Sequence, residues 1–189
     1  MFEASDLRKG LKIEMDGDPY IVTEFDFCKP GKGQALYRCK LKNMISGGTV
    51  DKTFRSADKV GKPDLEEKEL HFSYEEGNGI YIFFDPNTND EVRIDEKLLG
   101  DSKYFLDDDM TCAILFYRER AIEITLPFFV EKKITETEPG ARGDTATNVT
   151  KPAKIANGYE IQVPLFVNVG DTVRIDTRTG DYADRVSKA

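Results

Sequence analysis

The chain has 189 residues, a formal charge of −8, 39% hydrophobic and 11% aromatic residues, enough apolar content for folded cores and too much for a disordered polyelectrolyte. No apolar run approaches the roughly 18–20 residues that span a bilayer, and Met1–Asp6 lacks the basic and apolar regions of a signal peptide. Three cysteines, Cys28, Cys39 and Cys112, are an odd set that argues against a disulfide framework and for a soluble, cytoplasmic protein with reduced thiols.

The first third reads as β-structure. Leu11–Met15 alternates with period two, Asp16-Gly17 is a hairpin turn signal, and Tyr20–Cys28 is the return strand, with Pro19 at its start. The outgoing strand Leu36–Asn43 places Tyr37, Cys39 and Leu41 on one face and Arg38, Lys40 and Lys42 on the other, the cations about 7 Å apart. Gly47-Gly48 then turns the chain into Thr49–Phe54. Short strands, frequent turns and no helical period predict a small barrel. A boundary falls near Val60–Pro63. Beyond it, Leu70–Tyr74 and Ile80–Phe84 flank a loop at Glu75–Gly79, and Glu91–Ile94 is a short strand. Asp95–Leu106 is the one helix predicted, with Asp95 as N-cap and Leu98, Leu99 and Leu106 packing inward. Strands Thr111–Tyr117 and Ala121–Leu126 follow, and Pro127 marks a second boundary. The last third opens with a strand-like run at Phe128–Thr135, continues through a loop from Glu138 to Pro152, and ends in three more strand-like runs. Asp109–Ile114 answers Gly170–Ile175 residue for residue, which suggests a duplicated barrel.

Charge is spread unevenly along these elements. Residues 1–63 hold 12 Lys+Arg against 9 Asp+Glu, residues 64–129 hold 6 against 17, and residues 130–189 hold 9 of each. One end is thus suited to approach a polyanion while the middle stays solvated. Within the first third, no carboxylate lies between Asp26 and Asp51, yet Lys29, Lys32, Arg38, Lys40 and Lys42 do. At the centre of this window sits Lys29-Pro30-Gly31-Lys32-Gly33-Gln34. Pro30-Gly31 reads as a tight turn, with Gly31 accepting positive φ, and Lys32 stands at its tip between two glycines. Lys and Arg facing phosphates position a protein on nucleic acid without reading its sequence.

Residues for catalysis are sparse. The single histidine, His71, lies in a strand pattern, where a satisfied or solvated ring is expected. No Cys/His spacing fits a zinc site. Cys28 and Cys39 are placed to face each other across the Lys32 hairpin, but without a base they are poor nucleophile candidates. A Gly-x-x-x-x-Gly-Lys-Ser/Thr phosphate loop is absent. The chain therefore reads as a non-enzyme that binds no metal or cofactor.

Residues Lys29–Ala35 with Arg38 and Lys40–Asn43, Lys52-Thr53-Phe54, Glu138-Pro139-Gly140, Gly143–Ala146, Lys151-Pro152-Ala153, Val163–Phe166, Asp176–Tyr182 and Arg185-Val186 resemble, in order and from end to end, the bacterial elongation factor P family. A third domain separates the chain from the two-domain, hypusine-bearing relatives of archaea and eukaryotes. The resemblance implies an all-β fold of three small β-barrel domains in an L shape like tRNA. The first, residues 1–63, is SH3-like (KOW type) and bears the Lys32 loop; residues 64–128 and 129–189 are oligonucleotide-binding (OB) folds. It implies a cytoplasmic monomer bound to both ribosomal subunits between the P and E sites, away from any membrane, promoting peptide-bond formation at consecutive prolines. Lys32 matches the tip residue that reaches toward the peptidyl-transferase centre. In many members that lysine is extended by β-lysylation or a 5-aminopentanol group, added by a modifying enzyme; lysine here leaves both routes and the unmodified state open. Gly143, Asp144 and Thr145 match a loop near the E-site codon, and Tyr182 and Arg185 match contacts to peptidyl-tRNA. The acidic middle domain, Phe128 and the tail Ser187–Ala189 depart from the family pattern. A general RNA-binding barrel module without effect on peptide-bond formation is the alternative.

Overall fold

The computed structural model describes residues 1–140 and 149–189, and it is all-β apart from short helical turns. The described chain divides into two compact units, residues 1–68 with 114–123, and residues 69–113 with 124–189. Among the described residues no helix is long and apolar enough to cross a membrane.

The first unit opens with β1 (Phe2–Glu3) and a 3-10 turn at Ala4–Asp6, then β2 (Lys12–Met15), β3 (Asp18–Cys28), β4 (Leu36–Asn43), β5 (Thr49–Arg55) and β6 (Lys59–Val60). Strands β2 to β5 form an antiparallel meander in chain order. The predicted Asp16-Gly17 turn has φ of 53° and 82°, both left-handed, as the twist of a two-residue hairpin demands. Strand β1 pairs with β6, and a bridge between Glu14 and Gly61 laces that pair to β2. A Cβ at Gly61 would sit 2.6 Å from the Glu14 carbonyl oxygen, so this approach of two backbones requires glycine. The meander's inner face packs Ile13, Val22, Leu41 and Phe54 with Ala4, Leu7 and Val60. Each fully buried branched aliphatic there contributes about 1.5–3 kcal/mol.

Strand β7 (Leu65–Gly77) leads into the second unit, where its later residues pair with β8 (Ile80–Phe84), which pairs with β9 (Glu91–Asp95). The predicted loop at Glu75–Gly79 shrinks to the dipeptide Asn78-Gly79, with φ of 55° and 74°, because Asn-Gly satisfies a two-residue turn and frees Glu75–Gly77 for the strand. Asp95 does cap a helix, accepting from the Lys97 N–H at 2.8 Å, but α1 is only Glu96–Leu99. At Gly100 the chain turns to φ 54° and continues as a 3-10 segment, Gly100–Phe105. Leu99 is buried as expected, whereas the core position assigned to Leu106 belongs to Phe105.

Next come β10 (Thr111–Tyr117) and β11 (Arg120–Thr125), then β12 (Phe129–Lys133), β13 (Glu136–Thr137), β14 (Thr150–Lys154), β15 (Glu160–Pro164), β16 (Thr172–Asp176) and β17 (Asp181–Ser187). The last six form two three-stranded sheets, β12-β16-β17 and β13-β14-β15. The loop expected to reach Pro152 ends earlier, since Thr150–Lys154 pairs with β15 in alternation, burying Lys151 and Ala153. The internal similarity is register-true: β10 and β16 both begin at the aligned threonine, and Cys112 and Ile114 are fully buried like Val173 and Ile175.

Residues 114–123 belong to the first unit, where Leu115, Tyr117 and Ile122 pack on Met44, Ile45 and Leu65. The Tyr117 hydroxyl donates to Glu14 Oε2 at 2.9 Å. Burial first, then the hydrogen bond and charge of Glu14, raise the Tyr117 pKa. The turn between β10 and β11 places Arg118 and Glu119 at φ of 47° and 67°. Left-handed backbone costs a residue with a Cβ about 1–2 kcal/mol. Replacing Arg118-Glu119 by Asn-Gly should raise stability by about 1 kcal/mol, read as a higher urea midpoint at unchanged slope. An unchanged midpoint would show that the turn stores no strain.

Candidate nucleic-acid interface

The Lys32 hairpin is set by the pairing of β3 with β4. Tyr20 faces Asn43 and Val22 faces Leu41, but the next pairs are Glu24 with Lys40, Phe25 with Cys39, Asp26 with Arg38, Phe27 with Tyr37 and Cys28 with Leu36. Thr23 is the extra residue of a β-bulge, and its hydroxyl donates to the Lys40 carbonyl oxygen at 3.1 Å. Beyond the bulge the alternation of β3 is reversed. Phe25 and Phe27 join Tyr37 and Cys39 on the core-side face, with the Phe27 and Tyr37 rings 5.1 Å apart. Phe27 is nevertheless 50% exposed, because the ribbon here runs past the barrel core. Sequence reasoning missed this aromatic pair; the switch from Tyr20 and Val22 to Phe25 and Phe27 was its signal.

Residues 29–35 form the tip, and Lys29, Pro30, Gly31, Lys32, Gly33 and Gln34 are all exposed. The left-handed position is Gly33, at φ 124°, and not Gly31 as the Pro-Gly dipeptide suggested. Nothing lies within 4 Å of a Cβ built on Gly31, whereas one on Gly33 would touch the Pro30 ring at 3.7 Å. Lys29 and Lys32 have no ion-pair partner among the described residues.

The strand face expected to present a cationic row is compensated only in part, with an ion pair at Lys40 and none at Arg38 or Lys42 among the described residues. Asp26 is the cross-strand neighbour of Arg38, and Lys40 lies between Glu24 on β3 and Asp51 on β5. The Lys40 ammonium donates to Glu24 Oε1 at 3.1 Å. That hydrogen bond and the Glu24 charge, with a further contribution from Asp51, raise the Lys40 pKa. Lys42 alone of the three has no carboxylate opposite it, its neighbours being Ile21 and Thr49. The aspartates that bound the acid-free window in sequence thus fold back beside its cations.

Cys28 and Cys39 do not face each other. Their pairing partners, Leu36 and Phe25, put them on opposite faces of the ribbon. Burial raises the Cys39 pKa and pushes the Cys112 thiol up to about 12, so neither is a thiolate at neutral pH. His71 is satisfied: Nδ1 lies 2.8 Å from Asp109 Oδ1, Nε2 lies 3.3 Å from Thr111 Oγ1, and the ring packs on Phe84. Among the described residues no group of three His, Cys, Asp or Glu side chains is placed to hold a metal ion.

In the second unit, Tyr182 and Arg185 pair with Ile175 and Val173, across one register shift, between Arg174 and Ile175. The bulge between them brings both onto one face, although three positions apart on a regular strand would separate them. Arg185 is also held within its own barrel: its guanidinium lies 4.7 Å over the Phe166 ring and donates to Phe166 O at 3.3 Å and Asp171 Oδ2 at 3.4 Å. Buried Asp171 accepts from the N–H groups of Asn168 and Ala189 as well, and these two bonds, ahead of Arg185, hold its carboxyl below the usual range. Gly143, Asp144 and Thr145 lie outside the described residues.

Three family models match in chain order: the elongation factor P KOW-like domain at residues 3–60, the elongation factor P OB domain at 65–124, and the elongation factor P C-terminal domain at 130–185. The chain is 50% identical to elongation factor P of Desulfotalea psychrophila and 48% identical to that of Desulfosudis oleivorans, in each case over all of both chains. Among solved structures, eukaryotic translation initiation factor 5A from Methanococcus jannaschii superposes with a TM-score of 0.55 at 17% identity, covering 66% of this chain and 93% of that one. That likeness is one of fold.

Gly33→Ala should destabilise the hairpin by about 1–2 kcal/mol or reshape it, while Gly31→Ala should be tolerated; backbone chemical shifts across residues 29–35 read the difference. The reverse ranking would overturn the assignment of the left-handed position. For Asp171 the folded pKa is depressed, so its contribution is complete above the ordinary carboxylate value of about 3.9 and is lost as pH falls through the folded value. Asp171→Asn should therefore flatten part of the acid limb of stability below about pH 4. Asp176, depressed by Arg178, keeps the remainder. An acid limb as steep as the parent's would remove Asp171 from this role.

Proposed function

As this chain belongs to the elongation factor P family and is a translation elongation factor, we propose that it binds the ribosome between the P and E sites and speeds peptide-bond formation at consecutive prolines by positioning peptidyl-tRNA. Its working units are three barrels, residues 1–63, 64–128 and 129–189. The observation that carries the reading is Lys32: an exposed cation without an ion-pair partner among the described residues, on a glycine-flanked tip at the end of a paired ribbon.

Proline is a poor attacking amine because its ring restricts φ and the geometry of approach. A factor that holds the peptidyl end in an attack-ready pose lowers the barrier through orientation, and needs neither general acid nor base. The glycines beside Lys32 leave room for RNA to approach the backbone, and the ammonium donates to the tRNA backbone beside the peptidyl-transferase centre. A β-lysyl or 5-aminopentanol extension, attached by a modifying enzyme, lengthens that reach. The described loop residues supply position and charge without chemistry of their own, so the proposed role is non-enzymatic. Gly143–Thr145 toward the E-site codon, and Tyr182 with Arg185 toward peptidyl-tRNA, complete the proposed contacts.

Lys32→Ala should slow synthesis through consecutive prolines by about 10- to 100-fold relative to the parent, with ordinary templates unchanged, in a reconstituted translation reaction. Parent-like rescue by Lys32→Ala would remove the tip from the mechanism. Equal effects of the parent protein on both templates would favour a general RNA-binding module.

A further inference from the structure

The first unit holds another cationic surface, away from the tip. Arg8, Lys9, Lys12 and Lys62 line an open groove of about 460 Å³ whose floor includes half-buried Leu11 and buried Pro63. Among the described residues no carboxylate lines it. Lys12 pairs with Glu123 at 3.6 Å, whereas Arg8, Lys9 and Lys62 have no ion-pair partner among the described residues.

Backbone hydrogen bonds hold both walls. The Gly10 N–H donates to Val22 O at 2.7 Å and the Val22 N–H to Leu11 O at 2.9 Å, while the Glu14 N–H donates to Gly61 O at 2.9 Å, beside Lys62. The cations therefore project from a fixed frame, which limits the ordering cost of binding. From Val22 to Cys28, at the base of the tip, is about 20 Å along β3 at the usual strand rise. Arg38 and Lys40, by contrast, stand among Glu24, Asp26 and Asp51. Repulsion from those carboxylates discounts them as phosphate ligands, and the uncompensated groove is the better one.

We infer that this groove is a second RNA-binding site, taking the phosphodiester backbone on Arg8, Lys9 and Lys62 and packing ribose or a base edge on the Leu11–Pro63 floor. The inference rests on the ribosome-binding role proposed above and adds a grip that is separate from Lys32.

The test is binding of the full chain to a short, fluorescently labelled, mixed-sequence single-stranded RNA across a salt series. Releasing three phosphate contacts should lower the slope of log K against log salt by about 2. The triple variant Arg8→Gln, Lys9→Gln, Lys62→Gln, which keeps polar side chains over the floor, should show that change with a weakening of about tenfold or more at low salt. Lys62→Gln alone should show about a third of the slope change and guards against misfolding of the triple variant. Inorganic phosphate at matched ionic strength should not displace the RNA; displacement would mark a free-phosphate site and overturn the inference. An unchanged slope in the triple variant would overturn it too, as would loss of slope only in the comparator Arg38→Gln, Lys40→Gln, Lys42→Gln. Polyproline rescue by the same triple variant is read in parallel with saturating factor. An unchanged salt slope in a variant that still rescues rejects the groove and leaves the Lys32 mechanism standing.

Discussion

One extra residue in β3 decides what each face of the Lys32 ribbon presents. Were Thr23 paired in regular alternation after Val22 and Leu41, Phe25 and Phe27 would point to the side of Arg38, and Glu24 and Asp26 to the side of Cys39 and Tyr37. Glu24 would then press on the core beside buried Cys39, and two aromatic rings would stand among the cations. Burying an unpaired carboxylate costs several kcal/mol, so that register is closed. The bulge resolves the conflict by shifting parity once, and the Thr23 hydroxyl anchors it on the Lys40 carbonyl. Everything distal to Thr23, including the tip, inherits its orientation from that shift.

The same shift sets the electrostatics. Charge along a sequence and charge across a sheet are different quantities, because antiparallel pairing brings residues from both ends of a window to its middle. Asp26 and Asp51 bound the acid-free stretch in sequence and flank Arg38 and Lys40 in space. Exposed pairs of this kind add little to stability, typically below about 1 kcal/mol. Their consequence is for binding, since a phosphate arriving at Lys40 must displace Glu24. Among the described cations of the first unit without an ion pair are those of the tip, Lys42, and the wall built from Arg8, Lys9 and Lys62. In a chain of net charge −8, those positions are where a polyanion is drawn.

The elements that were legible in the sequence are those whose signal is local. Asp16-Gly17 specifies its own turn, Asp95 its own cap, and Tyr37, Cys39 and Leu41 their own face. The family resemblance needed only short motifs in order, and the matching family models cover the chain. What stayed hidden depends on pairing between distant segments. Gly31 and Gly33 are equally permissive as residues, and only the closed path of the loop assigns the left-handed position to Gly33. Cys28 and Cys39 look opposed until the register is known. Asn78-Gly79 was a local signal, yet the acidic run before it masked a strand whose outward positions tolerate charge. The groove cations lie in two segments far apart in sequence that backbone hydrogen bonds around Glu14 and Val22 bring together.

Grip and probe have opposing requirements, which argues for their separation. Fixing a lysine side chain costs about 1.5–2 kcal/mol of rotamer entropy, so a lone flexible Lys32 is a poor source of affinity. Interactions equally strong before and in the transition state tighten binding without accelerating the reaction. A tip that held the ribosome by itself would spend its contacts on the ground state. Contacts distant from the reacting centre, such as those inferred for the groove, can offset the ordering of the tip and leave its ammonium free for the peptide-transfer role proposed for it. On the proposed division, substitutions in the groove should alter how much factor is bound, and substitutions at Lys32 should alter what the bound factor does.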